Sequence, residues 1–205
     1  GATPNSLAEG NNAVLLVELD GSAASSANGL TITAGQSTVK GLVINRFAAD
    51  GIAISTLGGN TIAGNYVGTD AMGTVPRGNR GMGNRVYGGA GSNWIGTNGD
   101  GVADYGERNI VSANQIAVYI YGNGADNNVV AGNYIGTGAT GRSPLGNSSF
   151  GVLVNFGPQF TRIGTNGDGV VSVRAADTVT FTYSDAKSAQ GAPQQLIRTV
   201  DIAGG

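Results

Sequence analysis

Residues 64–79 read GNYVGTDAMGTVPRGN and residues 132–147 read GNYIGTGATGRSPLGN, an offset of 132 − 64 = 68. Residues 95–102 and 163–170 both read IGTNGDGV, and the offset is again 163 − 95 = 68. Two separate matches at one offset, with no gap between them, mark an internal repeat and point to a solenoid. A shorter unit lies inside it. Alternating segments start at Gly51 (GIAI), Gly83 (GNRV), Ala117 (AVYI) and Gly151 (GVLV), with starts 32, 34 and 34 residues apart. The first three are each followed by an Asn-led segment: NTIAG at 60–64, NWIGT at 93–97 and NNVVA at 127–131. Strands this short, punctuated by Gly and Asn, do not make a sandwich, and no 3.6-residue period connects them. Stacked short strands satisfy both conditions.

In such a stack the inward side chains of successive coils lie on one another, so Val and Ile recur on the core face. Ile52, Ile54, Ile62, Val118, Ile120, Val130, Val152 and Val154 are predicted to point inward. Gly and Asn recur at corners, where the chain needs a left-handed backbone. Asn60 with Asn128, and Asn65 with Asn133, share the 68-residue offset and are predicted to occupy equivalent corners. There the amide of one coil can hydrogen-bond to the next. Residues 70–80 and 138–148, rich in Gly and Pro, read as matching excursions. The expected fold is all-β: a right-handed parallel β-helix (solenoid) over residues 1–170, with a nonconforming C-terminal β segment at 171–205. In that segment the Gly and Asn corners stop, while residues 171–183 (VSVRAADTVTFTY) and 196–202 (LIRTVDI) read as strands of a cap or arm.

Composition removes several functions. Charged residues are 12% of the chain and the formal net charge is −2, without the clustered Lys and Arg that a phosphate backbone demands. Nucleic acid is therefore not an expected partner. No apolar run reaches the ~18 residues of a membrane-spanning helix. The chain has no His and no Cys, which rules out Ser-His-Asp and Cys-His nucleophiles and the usual zinc sites. It opens at Gly1 without Met, which reads as a processed terminus and fits an extracellular or cell-surface location.

One constellation suggests a cofactor. Counted from Gly96, the text GTNGDGVADYGE places Asn98, Asp100, Gly101, Asp104 and Glu107 at positions 3, 5, 6, 9 and 12 of an EF-hand-like loop. Calcium is thus the expected metal, with Asn98, Asp100, Asp104 and Glu107 as ligands. Gly96 stands where such a loop starts with Asp, and NGDG also reads as a tight turn. The second copy keeps Asn166 and Asp168 but has Ser172 and Ala175 where the later carboxylates belong. The aromatics Tyr66, Tyr87, Trp94, Tyr119, Tyr121, Tyr134, Phe150, Phe156 and Phe160 recur at related places on successive units, and a sugar platform is one use for them. Tyr66 and Tyr134 hold equivalent places in GNY, which favours structural stacking there. No catalytic residue is assigned. A glycosidase needs two carboxyls facing each other across a sugar, and the 13 Asp and Glu fall mostly singly at turns.

The runs STVKGLVINRF (37–47), GIAI (51–54), GNTIAGNYVGTDAMGT (59–74) and IGTNGDGVADYGERNIVSAN (95–114) resemble secreted bacterial right-handed parallel β-helix repeat proteins of the pectin-lyase-like superfold. The resemblance covers about residues 1–170. It implies the fold, while function stays open, because that fold serves lyases, hydrolases, adhesins and passive spacers. Polygalacturonase-type members carry a Gly-His-Gly element, which a chain without His lacks. The lyase pattern Arg-x-Pro-x-x-Arg is approached only by Arg142-Ser-Pro144-Leu-Gly-Asn147, without its second Arg. Residues 12–19 (NAVLLVEL) read as an apolar strand with nothing in front to cover it, which points either to a fragment of a longer β-helix or to another copy covering the open end. The expected function is therefore a structural subunit that self-assembles end to end into a filament or surface layer, with other copies of itself as partner. The C-terminal arm is the expected joint. The alternative is a carbohydrate-binding or carbohydrate-cleaving β-helix, with polysaccharide as partner.

Overall fold

The computed structural model describes residues 1–164; the strands expected at 171–183 and 196–202 lie outside them. Five coils follow one another. The first holds β1 (Val17–Asp20), β2 (Leu30–Ile32) and β3 (Thr38–Lys40), and the second β4 (Leu42–Asn45), β5 (Ile52–Ser55) and β6 (Thr61–Ala63). The third holds β7 (Tyr66–Val67), β8 (Met82–Tyr87) and β9 (Trp94–Gly96), separated by the short helix α1 (Asp104–Glu107) from the fourth, β10 (Ile110–Val111), β11 (Ile116–Tyr121) and β12 (Val129–Ala131). The fifth holds β13 (Tyr134–Ile135), β14 (Phe150–Asn155) and β15 (Arg162–Gly164). Each coil gives one strand to each of three five-stranded parallel sheets, so the chain is an all-β parallel β-helix.

Register explains both repeat lengths. In the first sheet Tyr66 pairs with Ile110 and Ile110 with Tyr134, steps of 110 − 66 = 44 and 134 − 110 = 24. The 68-residue repeat is thus two coils, one long and one short. In the second sheet Ile52 pairs with Asn84, Asn84 with Val118 and Val118 with Val152, steps of 32, 34 and 34. Those steps are nearly even because each contains one excursion: residues 68–81, then 97–109, then 136–149. The first and third leave at the same corner and match the excursions read from sequence. Each is pinned by an antiparallel bridge, Thr69 to Pro76 and Thr137 to Pro144, and Ala139 N–H donates to the Gly73 carbonyl at 2.8 Å to join them.

Inside, an apolar row runs up each sheet: Leu19, Ile44, Val67, Val111, Ile135; then Ile32, Ile54, Val86, Ile120, Val154; then Val39, Ile62, Ile95, Val130, Ile163, with a second inward row in the second sheet. All eight residues predicted inward belong to this core. Burial of each such side chain stabilises by about 1.5–3 kcal/mol. One member breaks the chemistry. Asn84 sits in the row Leu30, Ile52, Asn84, Val118, Val152, fully buried, and neither amide atom has a partner among the described residues.

The corners are held by three Asn ladders. Between the second and third sheets, the backbone N–H and Nδ2 of Asn60 both donate to Asn93 Oδ1, at 3.0 and 2.8 Å. Asn93 repeats this toward Asn128 Oδ1, at 2.9 and 2.8 Å. Asn65, Asn109 and Asn133 form the same series between the third and first sheets. Asn79, Asn114 and Asn147 form it between the first and second, where Asn114 donates only its backbone N–H to Asn147 Oδ1. Both Asn pairs predicted to share corners do so. The residues just before the first ladder's rungs, Gly59, Ser92 and Asn127, are left-handed, with φ of 75°, 59° and 57°. Stacking therefore holds a conformation that the sequence marks with Gly only once.

The outer face of the first sheet carries a second apolar row, Val43, Tyr66, Ile110 and Tyr134, covered by Ala13, Leu15 and Ala139. Burial, and then the Asp70 carboxylate, push the Tyr66 phenol up to about 12. The cover corrects the expectation for residues 12–19. Only Val17–Asp20 is strand; the residues before it close a loop through Thr3 and Val14, which exchange backbone hydrogen bonds of 3.1 and 2.9 Å. The Arg108 guanidinium donates to the Leu7, Ala8 and Gly10 carbonyls at 3.3, 3.0 and 2.8 Å. Tyr66 and Tyr134 hydroxyls bind Asn11 Oδ1 and Gly10 N–H, at 2.8 and 2.7 Å. Ala13 and Leu15 thus cover the solenoid's side, while Val14, Leu16 and Val17 are exposed.

The two kinds of buried Asn predict opposite mutational outcomes. Asn93→Ala strands the donors of Asn60 and is expected to cost about 3 kcal/mol or more. Asn84→Val, which restores the apolar row, is expected to stabilise by roughly 1–3 kcal/mol. Urea unfolding of both variants measures the contrast.

Candidate aromatic face and acidic loop

Period-two alternation decides what the second sheet shows outside. With Asn84, Val86, Val118 and Ile120 inward, Arg85, Tyr87, Tyr119 and Tyr121 point out, all half-buried. Arg85 pairs in register with Tyr119, so the four residues form a two-coil patch. The Tyr87 and Tyr121 rings stack across coils with centroids 5.7 Å apart and planes at 5°. Tyr119 and Tyr121 stack along one strand at 4.7 Å and 17°. The Arg85 guanidinium carbon stands 4.6 Å from the Tyr87 ring centroid. Its Nε lies 2.7 Å from Asp50 Oδ2 in an ion pair whose geometry is off-line for a hydrogen bond. Asp50 is itself buried, and its Oδ1 accepts the Met82 N–H at 2.9 Å. Burial raises the Tyr119 phenol, while a hydrogen bond from the Asn155 side chain acts in the opposite sense.

This patch offers ring surface, phenol hydroxyls and one oriented guanidinium. Its chemistry is stacking and hydrogen bonding to a polar ligand. The aromatics singled out by sequence therefore separate into groups. Tyr66 and Tyr134 are structural, under the N-terminal loop. Trp94 lies on the outer face of the third sheet with Arg162 5.7 Å from its centroid. Phe150, Phe156 and Phe160 are exposed in the fifth coil. Asp50 and Arg85 were not singled out by sequence; the only signal is that Asp50 precedes segment 51–54 and Arg85 lies within segment 83–86, which the repeat brings side by side.

The acidic loop gathers all four residues expected to bind calcium. Glu107 Oε2 accepts the Asn98 N–H at 3.0 Å, and Asp104 Oδ1 accepts the Thr97 hydroxyl at 3.0 Å. Asp100 Oδ1 accepts the Val102 N–H at 2.7 Å, and Asp100 Oδ2 accepts Asn98 Nδ2 at 2.9 Å. Asn98 Oδ1 in turn accepts the Asp100 N–H at 3.0 Å. These bonds are those of nested turns leading into α1, so the loop is ordered by its own donors. An ion would require Asp100 and Glu107 to exchange several of them for the metal. Among the described residues no group of three or more acidic side chains is arranged to hold a metal. Arg142, nearest to the lyase pattern, forms an exposed ion pair with Glu9 at 3.2 Å.

Comparison with family models, with curated proteins and with solved structures gives no match for this chain.

Melting with millimolar calcium against chelator separates the two roles of the loop. A ligand of the native state raises the melting temperature by mass action. A rise abolished by Glu107→Ala assigns Asn98, Asp100, Asp104 and Glu107 to the ion. An unchanged melting temperature, the outcome the nested turns favour, leaves Glu107 as the acceptor for Asn98.

Proposed function

We propose that this chain is a structural β-helix of the cell exterior whose copies stack end to end. One observation carries the reading. The inward rows are fully buried mid-solenoid, yet Leu19, Leu30, Ile32 and Val39 in the first coil, and Ile135, Val152 and Ile163 in the fifth, are only partly buried. Among the described residues nothing covers either set. Among the described residues the end coils also present three strand edges each, a template for parallel pairing. A second copy placed on the axis completes both the rows and the sheets, and such a head-to-tail contact does not close on itself. The Asn ladders add nothing to this joint, because their first donors are Ser37, Leu42 and Phe47 and the first Asn rung is Asn60. From the described residues, apolar burial and backbone pairing hold it; the C-terminal segment expected as the joint lies outside them. The location outside the cell rests on the resemblance to secreted repeat proteins.

Electron microscopy and sedimentation of the intact chain test this. Filaments or an open-ended mass series are expected, and Ile32→Lys or Val152→Lys should leave folded monomers. A monomeric intact chain at high concentration ends the proposal.

The aromatic face favours a second reading, polysaccharide binding. Affinity electrophoresis through pectin, polygalacturonate, alginate and arabinoxylan is the measurement. Retardation that Tyr121→Ala removes is expected on this reading, without release of unsaturated products or reducing ends. Unretarded migration in all four excludes these glycans, and turnover of any of them makes the chain an enzyme.

A further inference from the structure

We propose that Tyr121 is a site of oxidative tyrosine coupling, forming a dityrosine staple with Tyr119 in the outer face of the second sheet. The inference is independent of both functional readings. The chain has no Cys, so a disulfide is not among its covalent reinforcements. Among the described residues the ring–ring contacts are Tyr87–Tyr121 and Tyr119–Tyr121, and Tyr121 is common to both. The other described tyrosines are differently placed. Tyr66 is buried and bound to Asn11, Tyr134 lies under the Arg108 guanidinium, and Tyr105 is 49% exposed on the acidic loop.

Coupling needs two phenols held together, one electron and one proton removed from each. The oxidant is hydrogen peroxide acting through a peroxidase; it takes up the two electrons and two protons and becomes two waters. Each phenol becomes a phenoxyl radical with spin at its ortho carbons. A carbon–carbon bond forms between the ortho carbons of the two rings, and the ortho hydrogens move to the oxygens to restore both phenols. The net change is the loss of two hydrogens from the chain. Rings already parallel at 4.7 Å need no diffusion, so the intramolecular step outruns coupling between molecules.

The choice between the two neighbours follows from Arg85. Its guanidinium, 4.6 Å from the Tyr87 centroid, opposes removal of an electron from that ring. The radical pair is therefore favoured on Tyr119 and Tyr121, which also have the shorter centroid distance. Tyr87 is the reserve partner, and its product would join the third coil to the fourth.

The intact chain at micromolar concentration, treated with hydrogen peroxide and a peroxidase, tests the proposal by mass spectrometry and dityrosine fluorescence. The expected product is a monomer lighter by two hydrogens. After trypsin the loss resides within the peptide 109–142, which holds both Tyr119 and Tyr121. Tyr119→Phe should switch the product to peptides 86–108 and 109–142 joined through Tyr87 and Tyr121. Tyr121→Phe should abolish both products, and Tyr105→Phe should change neither. Melting curves of the variants confirm that each is folded. Coupling that survives Tyr121→Phe, dimers linked through Tyr105 as the sole product, or no loss of hydrogen at all overturns the assignment.

Discussion

At each corner of this solenoid a backbone N–H points along the axis, away from any strand that could receive it. The Asn of the next coil places Oδ1 there, and that same oxygen accepts the Nδ2 of the Asn below. One side chain therefore satisfies a neighbour's backbone and passes the pattern on, as in Asn60, Asn93 and Asn128. Asp would bring a row of stacked charges, and Ser or Ala would leave buried donors without acceptors, a penalty of about 1–3 kcal/mol each. The Asn-to-Asn bonds all donate toward the C-terminal coils, while Nδ2 of Asn65, Asn79 and Asn109 also donates back to carbonyls of preceding coils, and chains of such bonds polarise one another. Strands as short as Tyr66–Val67 persist because their ends are anchored in this way.

Anchored corners free the lengths between them. A coil of 24 residues sits next to one of 44 without disturbing any inward row, because the extra residues leave and return at corners. The excursions then differentiate three otherwise similar outer faces. Together with the N-terminal loop they bury the first sheet's outer row around Tyr66. Among the described residues the second sheet has no such cover and carries its half-buried tyrosines beside Arg85. That asymmetry sets the second sheet apart: among the described residues its outer face carries half-buried aromatic side chains, where the first sheet's outer row is covered.

Charge is used sparingly and locally. Asp50 is buried, ties its Oδ1 to the Met82 N–H and holds Arg85 against Tyr87. Arg46 pairs with Asp20 and Glu18 at the first coil, and Arg108 binds carbonyls of the N-terminal loop. The acidic loop spends its carboxylates on its own backbone and on Thr97 and Asn98. A net charge of −2 therefore reflects a fold whose polar needs are met by amides, with ions reserved for a few joints.

Much of this was legible in the sequence. The 68-residue offset, the inward Val and Ile, the paired Asn corners and the matching excursions all depend on side chains that recur at the same place in successive coils. Repetition exposes them without knowledge of the fold. The coil length was not legible, because an excursion falls in each interval of the second sheet and makes unequal coils look even. The first sheet was hidden for a different reason: two-residue strands such as Ile110–Val111 carry no period. Residues 12–16 read as strand in the sequence but fold as a loop, because an apolar run has the same composition whether it enters a core or covers a face. The patch of Arg85, Tyr87, Tyr119 and Tyr121, with Asp50 beneath it, required the tertiary structure altogether. Contacts between coils depend on the summed lengths of the intervening corners, and only the folded chain performs that sum.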